Sequence, residues 1–256
     1  MKGVILAGGK GTRLYPLTHS TNKHLLPVYD EPMIFYPIRT LVKAGIKNVM
    51  IVTGDIHAGQ FINVLKNGKE LGLEHLEYGY QDGGSKGIPD ALSYAEDFSD
   101  GEPIAVILGD NTTDADITGS VSEFKDGAMV FVKEVPDPER FGCPVFDETD
   151  KTKIIAIEEK PSEPKSDYSV TGLYIYDGTV FDRIRKLKPS DRGELEVTDL
   201  NNSYIADGKL TWGPLDGYWS DAGTFHSLYR SGRYWARKKL GEGYEGVVSG
   251  SVVPEK

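Results

Sequence analysis

Cysteine is almost absent: the 256 residues contain one, Cys143. A lone thiol makes no intramolecular disulfide and no cysteine-based zinc site, so Cys143 reads as a small packing residue. Long apolar runs are missing too. No stretch approaches the ~20 residues that a membrane helix needs, which leaves no membrane role. The apolar start, MKGVI, soon meets Gly8-Gly9, unlike a secretory signal, so the expected location is cytoplasmic. A basic excess is also lacking. The 29 Lys and Arg stand against 39 Asp and Glu, a net charge of −10, which argues against nucleic acid as the partner. One further absence is local. No acidic residue precedes Asp30, yet Lys10, Arg13 and Lys23 all do. An acidic protein thus carries a basic segment suited to focusing a small polyanion at one site.

That segment contains LAGGKGTR, Leu6–Arg13. A Walker loop needs Lys followed by Ser or Thr, but Lys10 is followed by Gly11. A dinucleotide fingerprint needs a third glycine where Leu14 stands. What survives is a glycine wrap whose backbone N–H groups can converge on an anion, with a hydroxyl from Thr12 and a guanidinium fork from Arg13. The plainer alternative is a tight strand-to-loop turn. Lys23, in STNKHLLPV, would ordinarily be a surface lysine. Its acid-free surroundings favour the same phosphates.

Apolar runs at Val4–Ala7, Asn48–Thr53, Leu76–Tyr80 and Pro103–Leu108 read as strands. Helical spacing at Pro32–Ala44, Ala58–Leu65 and Pro89–Phe98 alternates with them. This predicts an α/β, Rossmann-like, doubly wound and mostly parallel sheet with helices on both faces. Further strands are expected at Ala128–Val132, Ile154–Glu158 and Val170–Tyr176, and helices near Val180–Leu187, Thr198–Ala206 and Thr224–Lys239. They read as a smaller β-rich extension of the same sheet. One domain over 1–239 is expected, in two parts, 1–125 and 126–239. Residues 240–256 read as a tail ordered only by packing.

Asp110 directly follows PIAVILG, at a strand's carboxyl end, where open α/β sheets bind ligands. A carboxylate there suits Mg²⁺, which takes one or two carboxylates plus phosphate oxygens and water. A loop-capping aspartate is the alternative. Asp221, in GYWSDAGT, is the second candidate, against a helix N-cap. Asp114 and Asp116 imitate a glycosyltransferase D-x-D motif but read as a solvated loop. Glu159-Lys160 can divide labour between hydroxyls and a phosphate, or form a charged turn before Pro161.

LAGGKGTRLYPLT, NKHLLPV, LGDN, IEEKP, VTGLYIYD, RGELEVTD and WSDAGT, in that order, resemble the sugar-1-phosphate nucleotidyltransferases. The resemblance runs from Lys2 to about Lys239 and implies that 1–125 mainly bind the nucleotide and 126–239 mainly the sugar phosphate. It implies that Gly8, Gly9, Gly11, Thr12 and Arg13 wrap the nucleotide and that Lys23 contacts its triphosphate. Gln81 and Gly87 would read the base edge. Asp110 and Asp221 would hold Mg²⁺, with Asp110 also at the nucleotide, and Gly142, Glu159, Lys160 and Val170 would bind the sugar phosphate. Arg13, Lys23 and Lys160 are the implied catalytic residues. The implied reaction joins dTTP to glucose 1-phosphate, giving dTDP-glucose and pyrophosphate, with UTP or another sugar phosphate as the alternative. Three segments depart from the family pattern: Thr112-Thr113-Asp114 after LGDN, RFGCPVFD around Gly142, and GIPDAL where G-L-A-Q-A-L is usual. A homo-oligomer is compatible with the resemblance, but the oligomeric state does not carry over. Three other classes stay open: a glycosyltransferase using Asp114 and Asp116, a nucleotide-sugar sensor without turnover and, weakest, a dehydrogenase.

Overall fold

The computed structural model describes residues 1–54, 57–82, 84 and 86–244. In the first half, β1 (Lys2–Leu6) runs into the glycine loop and three 3-10 turns, Thr12–Leu14, Leu17–His19 and Lys23–Leu25. A hairpin of β2 (Pro27–Val28) and β3 (Glu31–Pro32) follows, then α1 (Phe35–Lys43), β4 (Asn48–Thr53), α2 (Ala58–Leu65) and β5 (His75–Tyr80). α3 (Ile88–Ser93), α4 (Glu96–Ser99) and β6 (Ile104–Leu108) complete this half. The helix expected over Pro89–Phe98 is therefore two short helices. At the break, Ser93 turns its hydroxyl back onto the Asp90 carbonyl at 2.6 Å, competing with the helix ladder. The expected helix at Pro32 starts only at Phe35, because Pro32 belongs to the hairpin.

β6, β1, β4 and β5 lie side by side and pair in parallel. Successive residues of β1 face opposite ways. Val4 and Leu6 enter one apolar cluster with Val106 and Tyr204, while Ile5 enters the other with Leu41, Phe61 and Ile107. A sheet covered on both faces needs such unbroken apolar strands, which is why these runs were legible.

The second half comprises β7 (Asn111–Thr113), α5 (Thr118–Glu123), β8 (Ala128–Glu134), β9 (Gly142–Phe146), β10 (Ile154–Glu159) and β11 (Tyr168–Tyr176). It continues with α6 (Val180–Ile184), α7 (Val197–Ala206), β12 (Leu210–Pro214), β13 (Trp219–Asp221) and α8 (Phe225–Leu240). β11 is antiparallel to β6, β8 and β9, so strands of both halves join one nine-stranded sheet. The antiparallel part is the β-rich extension. α8 opens on a capping box between Thr224 and Ser227 and ends on Arg237, Lys238 and Lys239, which suits its dipole. After it, Tyr244 is buried and accepts from Arg233 Nε at 3.1 Å. The tail expectation for 245–256 lies outside the described residues. Among the described residues no helix is long and apolar enough to cross a membrane.

Candidate active site

The glycine loop leaves β1 at the carboxyl end of the sheet. Gly11 is left-handed (φ 62°) and caps the turn Thr12–Leu14. Its carbonyl accepts from Leu14 N–H and from the Thr18 hydroxyl, each at 2.9 Å. Leu14, where a dinucleotide loop would carry glycine, is fully buried in a small cluster with Met33 and Tyr36. The loop is thus anchored by an apolar side chain rather than by a helix N-terminus, and Arg13 is left exposed beside the cavity.

Two strand ends bring the distant aspartates together. Asp110 follows β6, and the next residue, Asn111, pairs with Asp221 in the β7–β13 register. Ala222 N–H also donates to the Asp110 carbonyl at 2.7 Å. A methyl group on Gly223 would lie 3.2 Å from Asp110 Oδ2, 3.4 Å from Asp221 Oδ2 and 3.2 Å from Arg13 Nη2. One small open point is therefore shared by two carboxylates and a guanidinium. Asp221 Oδ1 is buried and has no hydrogen-bond partner among the described residues. Burial, then the nearby Asp110, pushes the Asp221 carboxyl up, against the pull of Arg140. Asp221 thus offers one buried oxygen without a partner among the described residues, beside a second carboxylate. Among the described residues no group of three or more His, Cys, Asp or Glu could hold a metal. A two-carboxylate set fits a hard divalent ion that completes its shell with phosphate oxygens and water.

Lys23 Nζ donates to Asp110 Oδ2 at 2.6 Å, both side chains being mostly buried. Burial alone would push the Asp110 carboxyl up, but Lys23 and Asn111 hold it well below the usual range. His24 is buried beside them, and its ring Nδ1 and backbone N–H both meet Asn22 Oδ1, at 2.7 and 2.9 Å. Burial, reinforced by Lys23, lowers His24 to about 3. It is therefore neutral in the folded chain above that pH. The unfolded histidine binds a proton near pH 6.5, so stability falls as pH drops from there toward 3, by roughly 1.4 kcal/mol per unit at most. We predict that His24→Gln flattens this part of the unfolding free energy against pH. An unchanged slope would show that other groups carry it.

On the other side, Gly142 pairs with Glu159 of β10 and with Val170 of β11, so three expected residues lie abreast on neighbouring strands. Glu159 Oε2 accepts from the Thr198 hydroxyl at 2.6 Å, and Oε1 lies 2.8 Å from Lys160 Nζ. Burial would push the Glu159 carboxyl up; Lys160, Thr198 and Arg192 together hold it below its ordinary value. Lys160 takes a left-handed backbone (φ 45°), fixed by its N–H on the Phe141 carbonyl at 2.9 Å. That conformation costs a non-glycine residue on the order of 1 kcal/mol.

Two cavities meet here. One of about 260 Å³ is lined by Gly8, Lys23, Gln81 and Gly87, and a neighbour of about 550 Å³ by Gly142, Val170 and Asp221. Arg13, Asp110, Glu159 and Lys160 line both. Gly9, Gly11 and Thr12 line neither, so they shape the loop rather than the cavity wall. Arg192, which sequence reasoning gave no role, adds a cation to the smaller cavity, and Arg140 adds one to the larger. Arg140 Nη2 lies 3.6 Å from Asp221 Oδ2. Both arginines sit in loops dense with acids, where nothing in one dimension distinguishes them.

The D-x-D imitation is dismantled. Asp114 is not solvated: it accepts from Tyr218 N–H at 2.7 Å and is tied to Tyr234 and Lys238 of α8. Asp116 is exposed and accepts from the Thr118 hydroxyl at 2.6 Å. Neither lines the two cavities. Cys143 is buried and donates to the Ser166 carbonyl at 3.3 Å, as a packing residue should.

Two adjoining cavities thus open at the carboxyl end of an α/β sheet and share Arg13, Asp110, Glu159 and Lys160. The Nucleotidyl transferase family matches residues 2–237, and the chain belongs to that family. A glucose-1-phosphate thymidylyltransferase of Xanthomonas campestris pv. campestris is 42% identical over 250 residues, 95% of this chain and 83% of the relative. Another, of Neisseria meningitidis, is 41% identical over 91% of this chain and 82% of its own length. A crystal structure from Bacillus anthracis, assigned as a glucose-1-phosphate thymidylyltransferase and holding a sucrose, superposes with a TM-score of 0.86 at 49% identity. It covers 91% of this chain and 94% of that one.

Proposed function

We propose that this chain transfers the thymidylyl group of dTTP to glucose 1-phosphate, giving dTDP-glucose and pyrophosphate. The meeting of the two cavities at Arg13, Asp110 and Lys160 carries this reading. The names of the relatives support the choice of substrates. The Gly8–Gly11 loop, Gln81 and Gly87 receive the nucleotide; Gly142, Glu159 and Val170 receive the sugar. An oxygen of the sugar phosphate attacks the α-phosphorus in line. The bond from that phosphorus to the oxygen bridging to the β-phosphate breaks, and pyrophosphate leaves with the electron pair.

A sugar phosphate is anionic at neutral pH, so no general base is needed. Repulsion between two polyanions is the obstacle, and placement with charge neutralisation removes it. Lys160 holds the attacking phosphate, and Arg140 adds a second cation to the same cavity. Arg13 and Lys23 meet the α-phosphate and the departing pyrophosphate. Asp110 and Asp221 would hold Mg²⁺, which when bound would supply further neutralisation of phosphate charge. Asp114 and Asp116 take no part, which removes the glycosyltransferase reading.

Arg13→Ala is expected to lower kcat/KM by ~10²–10³ at unchanged melting temperature, because one preorganised charge contact is lost. Near-normal turnover would remove Arg13 from the reaction. Pyrophosphate release with four nucleoside triphosphates, UTP included, against three hexose 1-phosphates tests the function. dTTP with glucose 1-phosphate should give the fastest release, and none with any pair would overturn the reading.

A further inference from the structure

We propose that Asp90 sets base selection in the nucleotide cavity by fixing which end of the Gln81 amide faces it. This rests on the reading above in which Gln81 meets the base. Asp90 stands in the first turn of α3, within GIPDAL, and accepts from Gln81 Nε2 at 2.6 Å. A carboxylate has lone pairs and no proton to give, so the Gln81 group facing Asp90 must be the N–H₂ end. The chemistry of the partner thereby decides an oxygen-versus-nitrogen assignment that amides otherwise leave open.

The rest of Gln81 cannot swing away. Its backbone N–H donates to the Thr53 carbonyl at 2.7 Å, and the residue is only 3% exposed. With Nε2 on Asp90, Oε1 turns toward the glycine loop, where a methyl on Gly8 would lie 3.1 Å from it. Gly8 and Gln81 both line the smaller cavity, whereas Asp90 does not. Asp90 is thus a positioning residue that acts through Gln81.

The wall so built presents an acceptor. Thymine and uracil carry an N–H at N3, which satisfies it. Cytosine carries a lone pair at N3, so two acceptors would face each other, one of them desolvated and unpaired. A site built around a specific hydrogen bond rejects an analogue lacking it far more strongly than an apolar wall rejects a change in size. Without Asp90 the amide is free to rotate and present its N–H₂ end, and the rejection of cytosine weakens.

The test uses calorimetric binding of dTTP and dCTP to the full chain, followed by kcat/KM for both. The wild type should favour dTTP by ~10²-fold or more. Asp90→Ala should narrow that ratio at least ~10-fold, through tighter dCTP as much as weaker dTTP. Asp90→Ser, which also removes the obligate acceptor, should do the same if Asp90→Ala does not fold. Asp90→Asn should retain most of the ratio, since its amide oxygen can still accept. KM for glucose 1-phosphate should stay within ~2-fold throughout, because the sugar cavity is untouched. Equal losses for both nucleotides, with the ratio preserved, would mean that Asp90 only supports the helix and would overturn the proposal. A wild type that binds both equally would overturn it too. Selective binding without pyrophosphate release would instead refute the proposed reaction while leaving the role of Asp90 intact.

Discussion

Asp110→Asn is expected to lower pyrophosphate release by ~10³ or more and to leave a folded chain. Asp110 is the residue on which everything at the junction converges. Its carboxylate is bonded to Lys23 at 2.6 Å and to Asn111 Nδ2 at 3.0 Å, and it shares the open point beside Gly223 with Asp221 and Arg13. Held well below the usual range despite burial, it is fully charged at neutral pH. The amide keeps the shape and can still accept from Lys23, so the fold survives. The charge needed for a divalent cation is gone, and Asp221 alone remains. Titration with Mn²⁺, followed by its spin-resonance signal, reads the same change without turnover. The wild type should bind the ion, and both Asp110→Asn and Asp221→Asn should not. Activity and metal binding of normal magnitude in Asp110→Asn would remove the metal assignment.

Gly87→Ala is expected to destabilise the chain by roughly 2–5 kcal/mol and to collapse the smaller cavity. Gly87 has φ 105°, which side-chain-bearing residues rarely adopt, and it forms an isolated bridge with Leu195. A Cβ there would meet the Leu195 carbonyl oxygen at 2.0 Å, a backbone atom that no rotamer can move aside. Leu195 N–H donates in turn to the Lys86 carbonyl at 2.8 Å. Relief of the clash therefore pushes away the segment that carries Arg192 and Glu196, and with it a wall of the smaller cavity. Urea unfolding and dTTP binding measure both effects. Wild-type values for Gly87→Ala would show that the two segments do not touch in solution. The resemblance gives Gly87 a part at the base edge; the structure adds a steric reason why no larger residue stands there.

The parallel half was legible because strands buried on both faces need unbroken apolar runs, as in NVMIVT and PIAVIL. β7, β9, β12 and β13 were not. WSD and NTT are short and polar, and they pair with each other only because β6 delivers one and the turn before α8 presents the other. That pairing is what joins Asp110 to Asp221, so the sequence named both residues without showing how they meet. The acid-free opening of the chain pointed to Arg13 and Lys23. It could not show that Lys23 sits on Asp110, a contact across 87 positions. Leu14 illustrates the converse: its place in the motif excluded a dinucleotide loop, and its burial explains what it does instead.

The cleavage point of the triphosphate tests the central claim most directly. With dTTP radiolabelled at the α-phosphorus and glucose 1-phosphate as the second substrate, the label should pass wholly into dTDP-glucose, with unlabelled pyrophosphate released in equal amount. Label recovered in dTDP together with free phosphate, or in dTMP with no sugar attached, would contradict the account.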